Sequence, residues 1–248
     1  MIGPIARRRL AGAAMCALGF LANPPDAEAE RVDLALVLAV DVSTSINFVE
    51  FGLQMDAYAA AFRAPEIVRA IRGAGRDGVA VTLIQWAGDN QQTTAVDWIR
   101  LTDAKTCEEF ASALDQMPRF FANGATSIAG AIEFAMASLA QSDYQGARRV
   151  IDISGDGPNN QQRSLRAARD RALAEKITIN GLAIVNEELS LAQYYESNVI
   201  GGPGAFVMTA VDFEDFAEAL RQKLLREISG VPVADLPRPV LVGAGERP

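Results

Sequence analysis

The sequence contains no histidine and only two cysteines, Cys16 and Cys107. The first absence excludes Ser-His-Asp and Cys-His catalysis, and with them any zinc site built on imidazole. Long apolar runs are also missing. The stretch 10–22 is too short to span a bilayer. It follows Arg7, Arg8 and Arg9 and leads into a segment ending Ala27-Glu28-Ala29, the layout of a secretory signal peptide cleaved after Ala29. The arginines also permit a twin-arginine exporter. Met15 before Cys16 is too large for a lipid-anchor site. Losing residues 1–29 would remove three arginines and two acids, making the remainder one charge more acidic than the net −8 of the whole chain. An acidic chain without a basic run is a poor nucleic-acid binder and has no pull toward anionic lipid. Cys16 would leave with the leader, so Cys107 has no partner for an intrachain disulfide and reads as a buried, inert thiol. A periplasmic or secreted location is expected, with no membrane span after cleavage.

What is present is a strand followed by alternation. Residues 32–40 run apolar almost throughout, as a strand buried on both faces of a parallel sheet does. The run ends in Asp41, Ser43 and Ser45, at every second position. Amphipathic spacing at Phe51, Met55, Tyr58 and Phe62, with Phe48 ahead of them, predicts a helix over 46–63 whose aromatic stripe is core. Strands are predicted at 79–86 and 92–99, the close spacing implying a hairpin. A helix over 106–114 is expected with Thr106 as N-cap and Glu109 completing a capping box. Further helices are predicted at 127–139, 164–176, 189–197 and 213–228, the last burying Phe216, Leu220 and Leu224. Strands at 148–154, 177–185 and 205–208 alternate with them. Strand–helix alternation means an α/β, doubly wound, mostly parallel six-stranded Rossmann-like sheet with helices on both faces. The organisation is therefore a signal peptide over 1–29, one domain over 30–230, and a proline-bearing flexible tail over 231–248.

Three strand-to-helix loops carry oxygen side chains beside glycines. The first holds Asp41, Ser43 and Ser45. The second holds Gly124-Ala125-Thr126-Ser127, and the third Ser154-Gly155-Asp156-Gly157. In open α/β sheets, ligands bind at the carboxyl ends of the strands, where these loops lie. Two carboxylates with three hydroxyls, and neither nitrogen nor sulfur, form a hard-cation donor set. It suits Mg²⁺, with Ca²⁺ or Mn²⁺ as alternatives. Residues two apart in extended backbone point the same way, which brings Asp41, Ser43 and Ser45 to one side.

Asp-x-Ser-x-Ser after the first strand, Gly-x-Thr before a later helix and Asp-Gly after a later strand together resemble the von Willebrand factor A domain. The run Val150 to Asn160 resembles an exported bacterial branch of such domains whose function is unknown. The resemblance spans about 33–229. It implies a metal-ion-dependent adhesion site, with Asp41, Ser43 and Ser45 from the first loop, Thr126 from the second and Asp156 from the third. In that family the serines and threonine bind the cation directly, the aspartates directly or through water. An open position on the metal accepts an Asp or Glu from a protein partner. The implied function is non-enzymatic binding, with no catalytic residue.

Other readings of the same residues remain open. Ser43 and Ser45 serve equally as caps for the helix after Ile46, and Ser127 reads as a cap rather than a ligand. Asp152, in an apolar strand, needs a partner, either Arg148 or the site it would support from behind. The run from Asp152 mimics an EF-hand loop, but its twelfth position is Arg163 where a glutamate belongs. Trp86 and Trp98 read as core or sheet-edge residues. A Mg²⁺-dependent phosphatase or phosphotransferase using Asp41 or Asp156 is the competing function. Such enzymes need a second aspartate two residues after the nucleophile, and Ser43 stands there.

Overall fold

The computed structural model describes residues 29–186 and 188–230. The predicted leader, apart from Ala29, and the predicted tail lie outside the described residues. Twelve residues, Glu30–Asp41, form β1, with every position from Leu34 to Asp41 buried. The other strands are β2 (Val79–Trp86), β3 (Gln92–Leu101), β4 (Tyr144–Gly155), β5 (Thr178–Ile184) and β6 (Val207–Ala210). They form one sheet in the order β3-β2-β1-β4-β5-β6. Only the β2–β3 hairpin is antiparallel.

Helices cover both faces, and the alternation along β1 shows why they must. Leu34, Leu36, Leu38 and Val40 enter one core, together with Phe51, Tyr58 and Phe62 of α1 (Phe48–Arg63), Phe110 of α3 (Ala104–Asp115) and Phe216 of α7 (Phe216–Ser229). Ile67 and Ile71 of α2 (Pro65–Gly73) join the same side. Val32, Ala35, Val37 and Ala39 face the other core, packed by Ile128 and Ile132 of α4 (Ile128–Gln141) and Ala168 of α5 (Leu165–Ala174). Leu191 of the short α6 (Leu191–Tyr194) joins them, with Tyr195 and Val199 from the π-helical turn that follows. A strand apolar on both sides buries both sides only when two helical layers sandwich it.

The expected fold class is what the chain forms, and several boundaries differ for local reasons. Neither Ser43 nor Ser45 caps α1. Asn47 does: its Oδ1 accepts from the backbone N–H of Val49 (2.8 Å) and Glu50 (3.1 Å). The Glu50 carboxylate in turn accepts from the Asn47 N–H at 2.7 Å, a reciprocal capping box. The helix starts later than expected, so Phe48 sits in the first turn and is 72% exposed rather than core. α3 begins before the predicted cap. Asp103 is its N-cap and Thr106 the third helical residue that reaches back to the Asp103 N–H. Ser127 caps α4 as expected, accepting from Gly130 N–H. Trp86 is buried, Trp98 is half-buried on the edge strand β3, and Cys107 is buried.

Asp152 does not pair with Arg148. Its partner is Lys223 of α7, at 2.5 Å, and Lys223 also contacts Glu227 Oε1 at 2.6 Å. All three are shut away from water. Glu227 Oε1 further accepts from the Asn180 amide of β5 at 2.8 Å. Arg148 instead donates to the carbonyls of Glu227 and Ile228, both at 2.9 Å, satisfying the last turn of α7. Gly230 then ends that helix in the left-handed conformation (φ 67°) that a residue with a side chain rarely adopts.

Candidate metal centre

The first loop leaves β1 in the sharp turn at 43–46. Asp41 is fully buried, and its Oδ1 accepts the Ser43 N–H at 2.7 Å. That bond turns the Ser43 side chain toward Ser45, whose Oγ is 3.2 Å from Ser43 Oγ. Ser45 then donates to Asp156 Oδ1 at 2.7 Å, joining the first loop to the third. Four of the five residues expected from the sequence are thus linked in a continuous set: Asp41, Ser43, Ser45 and Asp156. Thr126 is buried beside them. Its Oγ1 lies 3.8 Å from where a Cβ on Gly157 would stand. Its backbone is bound to the third loop, the N–H donating to Asn160 Oδ1 and the carbonyl accepting from Asn160 N–H, both at 2.9 Å.

Residues outside that expected set hold the loops in place. Thr44 ties the first loop to the second through Gly124, and Asn159 Oδ1 accepts from Ala129 N–H at 3.1 Å to fasten the third loop to α4. Arg119 donates to the carbonyls of Val42 and Ser43 at 2.9 Å and to that of Phe121. Asn159 and Asn160 had a visible signal, two adjacent amides in a Gly-Pro turn. Thr44 and Arg119 had none, because their partners are backbone atoms far along the chain. Gly155 is a close approach: a Cβ there would come within 2.9 Å of both Asp41 Oδ2 and the Tyr195 hydroxyl. Any side chain at 155 would therefore push into the floor beneath Asp41.

The electrostatics of this pocket are unbalanced. Burial, and then the neighbouring Asp156 charge, push the Asp41 carboxyl well above the usual carboxylate range, against the Ser43 hydrogen bonds and the Arg119 charge. Tyr195 is raised by burial and by the same two aspartates. Asp41 Oδ2 is buried without a hydrogen-bond partner. A positive charge between the loops would reverse each of these penalties. Among the described residues no three Cys, Asp or Glu side chains gather into a metal cage. The set here is two carboxylates and hydroxyls, the oxygen chemistry that hard divalent cations take.

A family model described as a protein of unknown function, DUF1194, matches residues 31–232. The chain belongs to that family. No curated protein matches it in sequence. Solved structures share the fold of this DUF1194 member. Proximal thread matrix protein 1 from the mussel byssus, with a zinc-occupied MIDAS motif, aligns at 18% identity and a TM-score of 0.56, over 78% of this chain and 45% of that one. The SpRpn10 VWA domain aligns at 16% identity and a TM-score of 0.53, over 75% and 94%. The conserved hypothetical protein BatB from Bacteroides thetaiotaomicron aligns at 15% identity and a TM-score of 0.51, over 80% and 100%. The chain spans less than half the length of the mussel protein. The fold is that of the von Willebrand factor A domain.

Proposed function

We propose that this chain is an exported, non-enzymatic protein-binding module that works through a divalent cation, Mg²⁺ in first place with Ca²⁺ or Mn²⁺ as substitutes. The observation that carries the reading is the Ser45–Asp156 hydrogen bond next to the buried, unpartnered Asp41 Oδ2. Two loops 111 residues apart spend their side chains on each other at a strand tip, and one carboxylate oxygen is left over. The hydroxyls of Ser43, Ser45 and Thr126 would hold the cation, with Asp41 and Asp156 bound directly or through water. A cation held by so few charges stays electrophilic, and an Asp or Glu of a protein partner completes its shell. The surroundings favour a protein as that partner. Phe48, Val49, Phe120, Leu189 and Val211, the exposed large apolar residues of the described chain, all lie on loops at the carboxyl edge or in the first turn after one. The competing phosphotransferase reading is weakened by the burial of Asp41, whose Oδ1 is already bound to Ser43 N–H.

The test is thermal. Mg²⁺ added to chelator-treated protein raises the melting temperature, and Asp41→Ala removes the rise. A wild-type protein indifferent to Mg²⁺, Ca²⁺ and Mn²⁺ would falsify the metal reading.

A further inference from the structure

Tyr195 reaches the candidate metal centre from outside its three loops. It opens the π-helical turn Tyr195–Val199, where the Ile200 N–H donates to the Tyr195 carbonyl, five residues back, at 3.0 Å. Such widened turns recur at functional sites. The side chain is fully buried and lies across the sheet. A Cβ on Gly181 of β5 would stand 2.6 Å from its Cδ1, and a Cβ on Gly155 of β4 would stand 2.9 Å from its hydroxyl. The lane ends at Asp41 of β1, whose Oδ2 is also 2.9 Å from that Gly155 position.

Strand alternation explains the lane. Val37 and Ala39 of β1, Ile151 and Ile153 of β4, and Ile179 and Ala183 of β5 all enter the core packed by α4 and α5. Alternation turns Asp41, Gly155 and Gly181 to that same face. Glycine on two neighbouring strands lets one phenol pass close over both and arrive beneath the tip of the third. A side chain at either position would collide with the ring or its hydroxyl. The adjacent Tyr194 serves the same centre by another route. Its hydroxyl accepts the Asn159 N–H of the third loop at 3.2 Å. The two rings meet edge to face, their centroids 6.4 Å apart. The segment after β5 therefore grips the third loop with one tyrosine and reaches under the first loop with the next.

The Tyr195 hydroxyl and Asp41 Oδ2 are both buried, and neither has a hydrogen-bond partner among the described residues. A phenol supplies the proton that an ionised carboxylate oxygen accepts, and these two groups converge on one point. A cation between the loops favours the ionised carboxylate, and the ionised form is the stronger acceptor. Carboxylates that answer a metal are as a rule held by hydrogen bonds of their own. We propose that Tyr195 is a positioning residue of the candidate metal centre, its hydroxyl donating to Asp41 Oδ2 and fixing that carboxylate for the cation. This rests on the metal reading above and adds to it a support from outside the three loops.

Two measurements on the full chain test this. Tyr195→Phe keeps the ring and removes only the hydroxyl. In calorimetric titration it weakens Mg²⁺ binding by about tenfold or more, the scale of a lost supporting bond at a metal site. Its melting temperature in chelator is not lowered, because the hydroxyl has no hydrogen bond there to lose. The second measurement needs no metal. The chain carries four tyrosines, so carbon-13 placed at the phenol carbon bearing the hydroxyl gives four resonances, and the one missing in Tyr195→Phe belongs to Tyr195. In chelator, Asp41→Asn shifts that resonance and leaves the one from Tyr144, at the far end of β4, in place. Equal Mg²⁺ affinity in wild type and Tyr195→Phe, or a Tyr195 resonance blind to Asp41→Asn, overturns the inference and leaves the metal reading standing. A wild type that binds no Mg²⁺ overturns both.

Discussion

Thr44 and Gly124 are bound to each other three times. The Thr44 N–H and hydroxyl both donate to the Gly124 carbonyl, and the Thr44 hydroxyl accepts from the Gly124 N–H, each at 2.9 Å. The first two loops of the candidate centre are therefore one mechanical unit. Thr44→Val keeps the side-chain shape and removes two of the three bonds. It should cost about 1–2 kcal/mol of stability, measured by urea unfolding, and weaken Mg²⁺ binding although Thr44 is outside the proposed donor set. Unchanged Mg²⁺ affinity would show that the loops hold their spacing without it.

The Asp41–Asp156 pair predicts a pH signature. With Asp41 raised in the folded state, that state binds more protons than the unfolded chain above the ordinary carboxylate range. Stability of the metal-free protein therefore falls as pH rises through that interval. A divalent cation favours the ionised form, so stabilisation by Mg²⁺ should grow over the same interval. Melting curves in chelator and in Mg²⁺ between pH 4.5 and 8 check this, and parallel curves would count against it.

With both carboxyls ionised, Asp152, Glu227 and Lys223 carry one net negative charge shut away from solvent. Burial first, and the Glu227 charge next, push the Asp152 carboxyl up to about 7. The sign is the same as for Asp41: this cluster loses stabilisation as pH climbs from the unfolded value near 4 toward 7. Asp152→Asn balances the charge and should flatten that part of the profile. Near pH 8 it should leave the protein at least as stable as wild type, since buried ion pairs add little beyond their desolvation cost. A loss of more than about 3 kcal/mol at pH 8, the cost of a broken buried pair, would refute this.

Cys107 is buried, and that burial, helped by Asp103, pushes its thiol up to about 11. The thiolate is the reactive form. Native protein prepared without residues 1–29, and so without Cys16, should therefore resist a thiol-specific chromogenic reagent at pH 8 and react with one equivalent only in denaturant. Rapid labelling of folded protein would show α3 opening.

Phe48 and Phe51 differ by three residues and by their surroundings, 72% against 6% exposed. Phe48→Ser should change stability by no more than about 0.5 kcal/mol, and Phe51→Ala should cost about 3–5 kcal/mol. Denaturant midpoints for the two variants, compared with wild type, decide whether Phe48 is held for the surface or for the fold.

The sequence made β1 legible because seven apolar positions in a row, Leu34 to Val40, leave few alternatives, and the oxygen trio at its tip followed from period-two alternation. Local ambiguity defeated the caps of α1 and α3, though not that of α4. Ser43, Ser45 and Asn47 all carry a side-chain oxygen able to accept N–H bonds, and which one meets the free N–H groups depends on where the turn at 43–46 ends. The same holds for Asp103 against Thr106, where the true box closes one turn earlier. Lys223 was unreadable as the partner of Asp152, because pairing α7 with β4 is a fact of packing that no local pattern encodes. Arg119 and Thr44 stayed hidden because they spend their side chains on carbonyls and amides, which every sequence possesses.

β1 enters the sheet at Glu30, paired with Tyr144, and α7 ends at Gly230 beside the Arg148 guanidinium. Both points lie at the amino edge, the length of a strand away from Asp41 and Asp156. Whatever chain or anchor joins the domain at either end is attached to its underside. The face bearing Phe48, Phe120 and the three loops lies opposite both attachments, so under the proposed reading a partner would approach from the side away from them.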